Sequence, residues 1–361
     1  MKFKAKTNEL AKVLQQVSAI IIAFPTRPII ANVMFNLSGN KLELISCDYQ
    51  NMMVTSVEVE GIEDGKEVFD GKLLLNILKS TVDPQIELNK MGNTMKLVLT
   101  SGSYEFPLFD TKDFTPTPSI DLTNTVEMKS NTLLEAIRKT AHTISDDSAT
   151  STGFLLMRFE GLIARFVSTI GHIVSEYVAN VSSDKFVDLL ISKKSIAALK
   201  PLLIGEFVNV SYDDTKVVFQ TETTTFYCVQ GVGVFVNYQP LIPKDFNEYL
   251  VVDRSLFLGA LKRILLVANA QSRHIKLHTG TANVRIECKD NEQNRAANES
   301  IPATNTGPNM SIGFDAKYLV DILSAYDSES IRLRITNSVR PGIFRPDDND
   351  DYTVIIAPLN L

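Results

Sequence analysis

Apolar positions recur at helical spacing in six short stretches of this chain, and at every second position in the stretches between them. TNELAKVLQQVSAI from Thr7, SNTLLEAIRKTAHTI from Ser130 and DRSLFLGALKRILL from Asp253 each open on a side chain that can cap a helix, with Leu10, Leu133 and Leu256 three positions on. Both steps between these starts are 123 residues. A second series recurs at nearly the same interval: FDGKLLLNILK from Phe69, ISKKSIAALK from Ile191 and FDAKYLVDIL from Phe314, with Asp70, Ser192 and Asp315 as the expected caps. A period of about 20–50 residues would indicate a solenoid. A period near 123 has the size of a whole domain, and predicts three tandem copies of one fold.

The alternating stretches supply the strands. NVMFNLSGNKLELISCDYQNMMVTSVEV reads as strands around a Gly-Asn turn, and FLLMRFEGLIARFVSTIGHIVSEYVANV and HIKLHTGTANVRIECKDNEQNRAANESI answer it in the later copies. Two helices beside antiparallel strands in each copy make the class α+β, with helices on one face of the sheet. The proline-rich stretches FTPTPSIDLTNT from Phe114 and YQPLIPKDFNEY from Tyr238 exclude helix and central strand. They set the expected domains at 1–122, 123–246 and 247–361. RPDDNDDY from Arg345 reads as an acidic, mobile hairpin tip.

Composition adds exclusions. Of 361 residues, 44% are hydrophobic and 22% charged, an ordinary globular balance that argues against extensive disorder. The longest strongly apolar run, VSAIIIAF from Val17, is too short to cross a bilayer, and the N-terminus lacks a secretory core. Cys47, Cys228 and Cys288 are widely spaced with no CxxC, which reads as buried reduced thiols in a cytoplasmic protein. The net charge is −6, yet the six helical segments together carry +6 and the remainder −12. Such a chain can present one positive face while staying acidic elsewhere.

No catalytic chemistry emerges. His142, His172, His274 and His278 stand in no metal-ligand spacing, and GxSxG, HExxH and Walker patterns are missing. The expectation is a protein that is not an enzyme, with no cofactor and no metal. The basic positions say more. Lys72, Lys194 and Lys317 occupy the first turn of the second helix in every copy, where a cation opposes the helix dipole. Gln16, Lys139 and Lys262 read as equivalents on the first helices, all able to donate to phosphate oxygens. Aromatic residues are not interleaved with them, so sequence-independent contact with duplex is expected rather than stacking on single-stranded bases.

The chain resembles the bacterial DNA polymerase III beta subunit, the replicative sliding clamps, from end to end. The resemblance runs through MKF, LQQVS, RPIIAN, SGSYEFPLFDTKDF, STIGHIVSEY, NYQPLIPKDF, IGFDAKYLVDIL and APLNL, in order over the three repeats. It implies a head-to-tail homodimer forming a ring, with helices lining a hole around double-stranded DNA. The partners implied are the polymerase III catalytic subunit, the clamp loader and other proteins with clamp-binding motifs, and no membrane. Carried over position by position, the peptide site would use Thr169, Gly171, His172, Val174, Leu241, Ile355, Ala357, Pro358 and Leu359, with Asp315, Tyr318 and Val339 in a neighbouring subsite. The DNA contacts would be Arg27, Lys72, Lys139, Lys193, Lys194, Lys262 and Lys317, and the dimer contacts Phe106 and Leu108 against Leu266 and Val267. Ile170 stands where the family usually has Asp, Pro240 where it often has Arg, and Leu359-Asn360-Leu361 closes the chain, so a more apolar, less basic cleft is expected. A family arginine in the first-domain loop falls at Phe24. A peptide-binding ring without a DNA role, and an enzyme assembled around His172, are the competing readings.

Overall fold

The computed structural model describes residues 1–119, 123–147, 150–242 and 248–360; the expected boundaries at 122 and 246, and Leu361, lie outside the described residues. The helices are α1 (Thr7–Val17), α2 (Gly71–Ser80), α3 (Ser130–Thr140), α4 (Lys193–Leu199), α5 (Arg254–Leu265) and α6 (Ala316–Ala325), two for each sequence repeat. Among the described residues the strand pairings are antiparallel, in keeping with the class α+β. The chain forms two compact units, residues 1–133 with 194–231 and residues 134–193 with 232–361, so the middle repeat contributes to both.

In the first unit, α1 buries Leu10, Val13, Leu14 and Val17, an i, i+3, i+4, i+7 stripe that must face a core. α2 buries Leu74, Leu75 and Leu78, and Asp70 caps it by accepting the Leu73 N–H at 2.8 Å. Phe35 and Phe69 stack at 4.1 Å between centroids, and Phe106 lies 5.5 Å from Phe69. Phe106 is therefore a core residue, 1% exposed, and not the interface anchor expected of it. Its strand, Gly102–Pro107, closes a five-stranded sheet, and alternation sends Phe106 inward between the exposed Glu105 and Pro107. An eight-stranded sheet joins strands of the first two repeats where Thr224–Val229 pairs with Asn51–Glu58.

The second unit is built on twelve connected strands, continuous from the middle to the last repeat because Tyr352–Ile356 pairs with Ile173–Asn180. Phe257, Ala260, Leu261 and Ile264 of α5 and Leu319, Ile322 and Leu323 of α6 fill its core. At the acidic tip, Arg332 reaches Asp350 at 2.8 Å and Asp347 at 3.6 Å, and Arg345 reaches Asp350 at 3.5 Å.

The structure corrects the repeat register by one residue. Equivalent backbone bonds run from Thr7 N to Pro84 O, Ser130 N to Glu206 O and Arg254 N to Glu329 O, at 3.0, 2.9 and 2.8 Å. The first-helix steps are thus 123 and 124. Arg254, not Asp253, matches Thr7 and Ser130. Asp253 does cap α5, accepting from Leu256 N at 2.7 Å, but Thr7 lies inside α1 and its hydroxyl donates to Asp83 O. Leu256 is consequently 52% exposed, and Phe257 takes the core position that Leu10 and Leu133 hold. Likewise Arg263, not Lys262, is the counterpart of Gln16 and Lys139.

Candidate peptide cleft and nucleic-acid interface

The turn between strands Ile163–Thr169 and Ile173–Asn180 shapes one wall of a cleft in the second unit. The Thr169 hydroxyl donates to Ile173 O at 2.7 Å and accepts the Gly171 N–H at 3.0 Å. Gly171 has φ +92°, a conformation that side-chain-bearing residues resist. This geometry presents His172, whose ring lies 4.8 Å from that of Tyr318 and whose carbonyl accepts from Ala357 N at 2.8 Å. A cavity of about 270 Å³ is lined by His172, Ser272, Asp315, Tyr318, Ile356 and the run Ala357–Leu359. Asp315 lines it, but its carboxylate is committed: it caps α6 at Lys317 N, 2.8 Å, and pairs with Arg273 at 2.7 Å.

A second cavity, about 370 Å³, is lined by Pro240, Leu241, Arg334, Thr336, Arg340, Pro341 and Ile343. Its apolar floor continues into a cluster of Leu156, Val167, Val174, Leu190, Phe235, Tyr238, Ile343 and Ile355. Tyr238 is buried and donates to Glu176 at 2.7 Å, which fixes the linker against that cluster. Burial, followed by the neighbouring Glu176 charge, holds the Tyr238 phenol protonated far above its ordinary range.

The sequence expectation for the cleft is met unevenly. His172, Asp315, Tyr318, Ala357, Pro358 and Leu359 line one cavity and Leu241 the other, with Val174 and Ile355 in the apolar cluster beneath the second. Thr169 and Gly171 act through the turn rather than by lining. Val339, 76% exposed on the turn before strand Gly342–Pro346, borders neither cavity. Ser272, Arg334, Arg340, Pro341 and Ile343 were not anticipated, because nothing local marks them and long-range pairing alone carries them here. Arg334 and Arg340 also restore the basic character that Pro240 was expected to remove.

The helical cations divide into anchored and accessible ones. Lys139 is 8% exposed, pairs with Glu135 at 3.2 Å and lies 4.6 Å from the Tyr177 ring centroid; it is an internal cation, correcting its expected DNA contact. Lys194 lies 2.6 Å from the fully buried Asp48, and the Lys72 ammonium donates to Ile21 O at 2.9 Å. Lys317 pairs with Asp321 one turn on. Each first-turn lysine has a partner within the chain, a different one in each copy, while Lys194 and Lys317 stay exposed. Lys193 pairs at 2.7 Å with the 94% exposed side chain of Asp146, a contact that water screens, and Lys262 and Arg27 are exposed. Leu266 is 81% exposed, while Leu108 and Val267 are half-buried.

No cluster of three or more His, Cys, Asp or Glu able to hold a metal occurs among the described residues, nor does any helix long and apolar enough to cross a membrane. The three cysteine thiols are buried and unpaired; burial pushes that of Cys228 up to about 12.

Comparison with known proteins agrees with this architecture. Residues 1–118 match the model of the DNA polymerase III beta subunit N-terminal domain, and residues 239–360 that of its C-terminal domain. The beta sliding clamps of Synechococcus elongatus and Pseudomonas putida are each 25% identical to the chain, with both chains covered completely. The Pseudomonas aeruginosa sliding clamp solved bound to griselimycin superposes with a TM-score of 0.96 at 22% identity, again over the whole of both chains. With both terminal domains matched and the α+β architecture shared throughout, the chain belongs to the DNA polymerase III beta subunit family, the beta sliding clamps.

Proposed function

We propose that two copies of this chain close into a ring that encircles duplex DNA and tethers the replicative polymerase, its loader and other motif-bearing proteins. The ring would act in the cytoplasm without catalytic activity, and its three tandem domains would be those expected at 1–122, 123–246 and 247–361. The observation that carries this reading is a pairing that repeats inside the chain. Cys228 pairs with Asn51, and Val229 N donates to Gln50 O at 2.9 Å. One repeat later, Ile356 pairs with Ile173, and Ala357 N donates to His172 O at 2.8 Å. Each time, the last strand of a repeat joins the fourth strand of the repeat before it. Two strands are left over. Gly102–Pro107 pairs only with Thr94–Leu99 among the described residues, and Arg295–Asn305 pairs on one side only over residues 295–302. A second copy satisfies both edges head to tail, and unpaired edges otherwise invite aggregation.

In this ring, Leu108, Leu266 and Val267 would flank the closing strands, joined by the half-exposed Leu73, which holds on α2 the place of Ser195 on α4 and Tyr318 on α6. Arg27, Lys193 and Lys262 supply the accessible phosphate contacts, with Lys72, Lys194 and Lys317 contributing charge from anchored positions. The two cavities accept an extended peptide whose apolar side chains enter the floor and whose acidic or carbonyl groups meet Arg334 and Arg340. The test is retention on DNA. Loaded protein should stay on a nicked circular plasmid and leave when the plasmid is linearised; equal retention on both forms refutes encirclement and favours an adaptor.

A further inference from the structure

Features of the first unit that the helical cations do not explain converge on one surface. Phe24 is 96% exposed, in the loop that follows α1. The Lys72 bond to Ile21 O fastens that loop to the first turn of α2. Tyr49, from the turn between strands Lys41–Cys47 and Asn51–Glu58, is 55% exposed, and its hydroxyl accepts the Thr26 N–H at 2.9 Å. Folding thus holds two open aromatic rings, 25 residues apart in sequence, at one loop-and-turn surface. Arg27 stands beside them, its guanidinium donating to Asp113 O at 2.9 Å, at the edge of a recess of about 730 Å³. Arg27, Lys112, Asp110 and Asp113 line that recess with Phe109 and Phe114, so its formal charges cancel. Attraction for phosphate alone would not select such a site. Aromatic faces beside a guanidinium are the elements of a platform for unpaired nucleic-acid bases, where stacking supplies the affinity.

We infer that Phe24 and Tyr49 stack on unpaired bases where duplex DNA opens into a single strand, with Arg27 meeting the adjoining phosphate. The inference rests on the DNA reading above and shares Arg27 with it, but its selectivity comes from Phe24 and Tyr49 and from another force. Helical lysines act through charge and salt; this platform acts through contact and gives a preference for a junction.

The experiment titrates the full chain with a blunt duplex and with the same duplex carrying a single-stranded overhang, 2-aminopurine marking its first unpaired base. The unaltered chain should bind the overhang about 5- to 100-fold more tightly and quench the probe. Phe24→Ala and Tyr49→Ala should each remove most of that preference and the quenching, leaving blunt-duplex affinity and its salt slope in place. Tyr49→Phe keeps the ring but loses the Thr26 bond, and should keep more of the quenching than Tyr49→Ala. Equal binding of both DNAs by the unaltered chain, or equal weakening on both by Phe24→Ala, overturns the platform while leaving the helical contacts standing. A Phe24→Ala effect on peptide binding alone overturns it in favour of a protein-docking loop. Absence of any salt-dependent duplex binding overturns the DNA reading and the platform together.

Discussion

Asp48 has no exposed side-chain surface, and a carboxylate there must be compensated. It accepts from Gln50 N and Asn51 N at 2.7 and 2.6 Å and meets the Lys194 ammonium at 2.6 Å, while Ser195 donates to Asn51 Oδ1 at 2.6 Å. This cluster ties α4 to a turn of the first repeat. Removing Lys194 leaves the buried charge with hydrogen bonds but no counter-ion. A double-mutant cycle of Lys194→Ala and Asp48→Ala should give a coupling of about 1–3 kcal/mol in thermal unfolding; a coupling near zero would release Lys194 for DNA. His142 sets a pH response. Burial lowers its pKa from 6.5 to about 4, with Asp321 opposing and Lys317 reinforcing the shift. The folded chain holds it neutral, so its contribution is complete above the unfolded value near 6.5 and is lost as pH falls toward 4. Unfolding midpoints measured across that window should lose up to about 3 kcal/mol, and His142→Phe should flatten the dependence.

At the scale of the element, α5 shows how pattern and register can part. Both Leu256 and Phe257 fit an apolar stripe that starts at Asp253, and only the bond from Arg254 N to Glu329 O fixes which of them points inward. Phe257→Ala should cost about 3–5 kcal/mol in urea denaturation, and Leu256→Ala under about 0.5; the reverse order would restore the 123-residue step. The helical lysines make the matching case for charge. Lys262→Glu should lower the slope of log affinity against log salt by roughly 0.9 or more, whatever the DNA sequence. Lys139→Glu should instead destabilise the fold, because the replacement buries a carboxylate beside Glu135.

At the scale of the whole molecule, assembly rests on the two edges that the repeated pairing leaves open and on the apolar groups beside them. Leu266 loses no packing within its own unit when changed, since it is 81% exposed. Leu266→Lys should therefore yield a folded monomer by light scattering, with the circular dichroism and unfolding midpoint of a native chain. Phe106→Ala should unfold the first unit instead, by opening a cavity beside Phe69. A Leu266→Lys protein that remains a dimer would remove this residue from the interface and leave the strand edges as its support.

The sequence alone determined the threefold repeat, the α+β class and the six helices, because each is written in local periodicity and capping residues. Tertiary structure decided what depends on pairing between distant segments. The register of α5 hung on a backbone bond spanning 75 residues, and Arg334 and Arg340 reached the cleft through strand pairing. Lysines that look alike along the chain differ because a partner such as Asp48 or Glu135 is brought near only by folding. Tyr49 likewise meets the Phe24 loop through the Thr26 bond, a juxtaposition that no spacing announces. Local free energies follow from neighbours in sequence, whereas burial and charge pairing follow from neighbours in space.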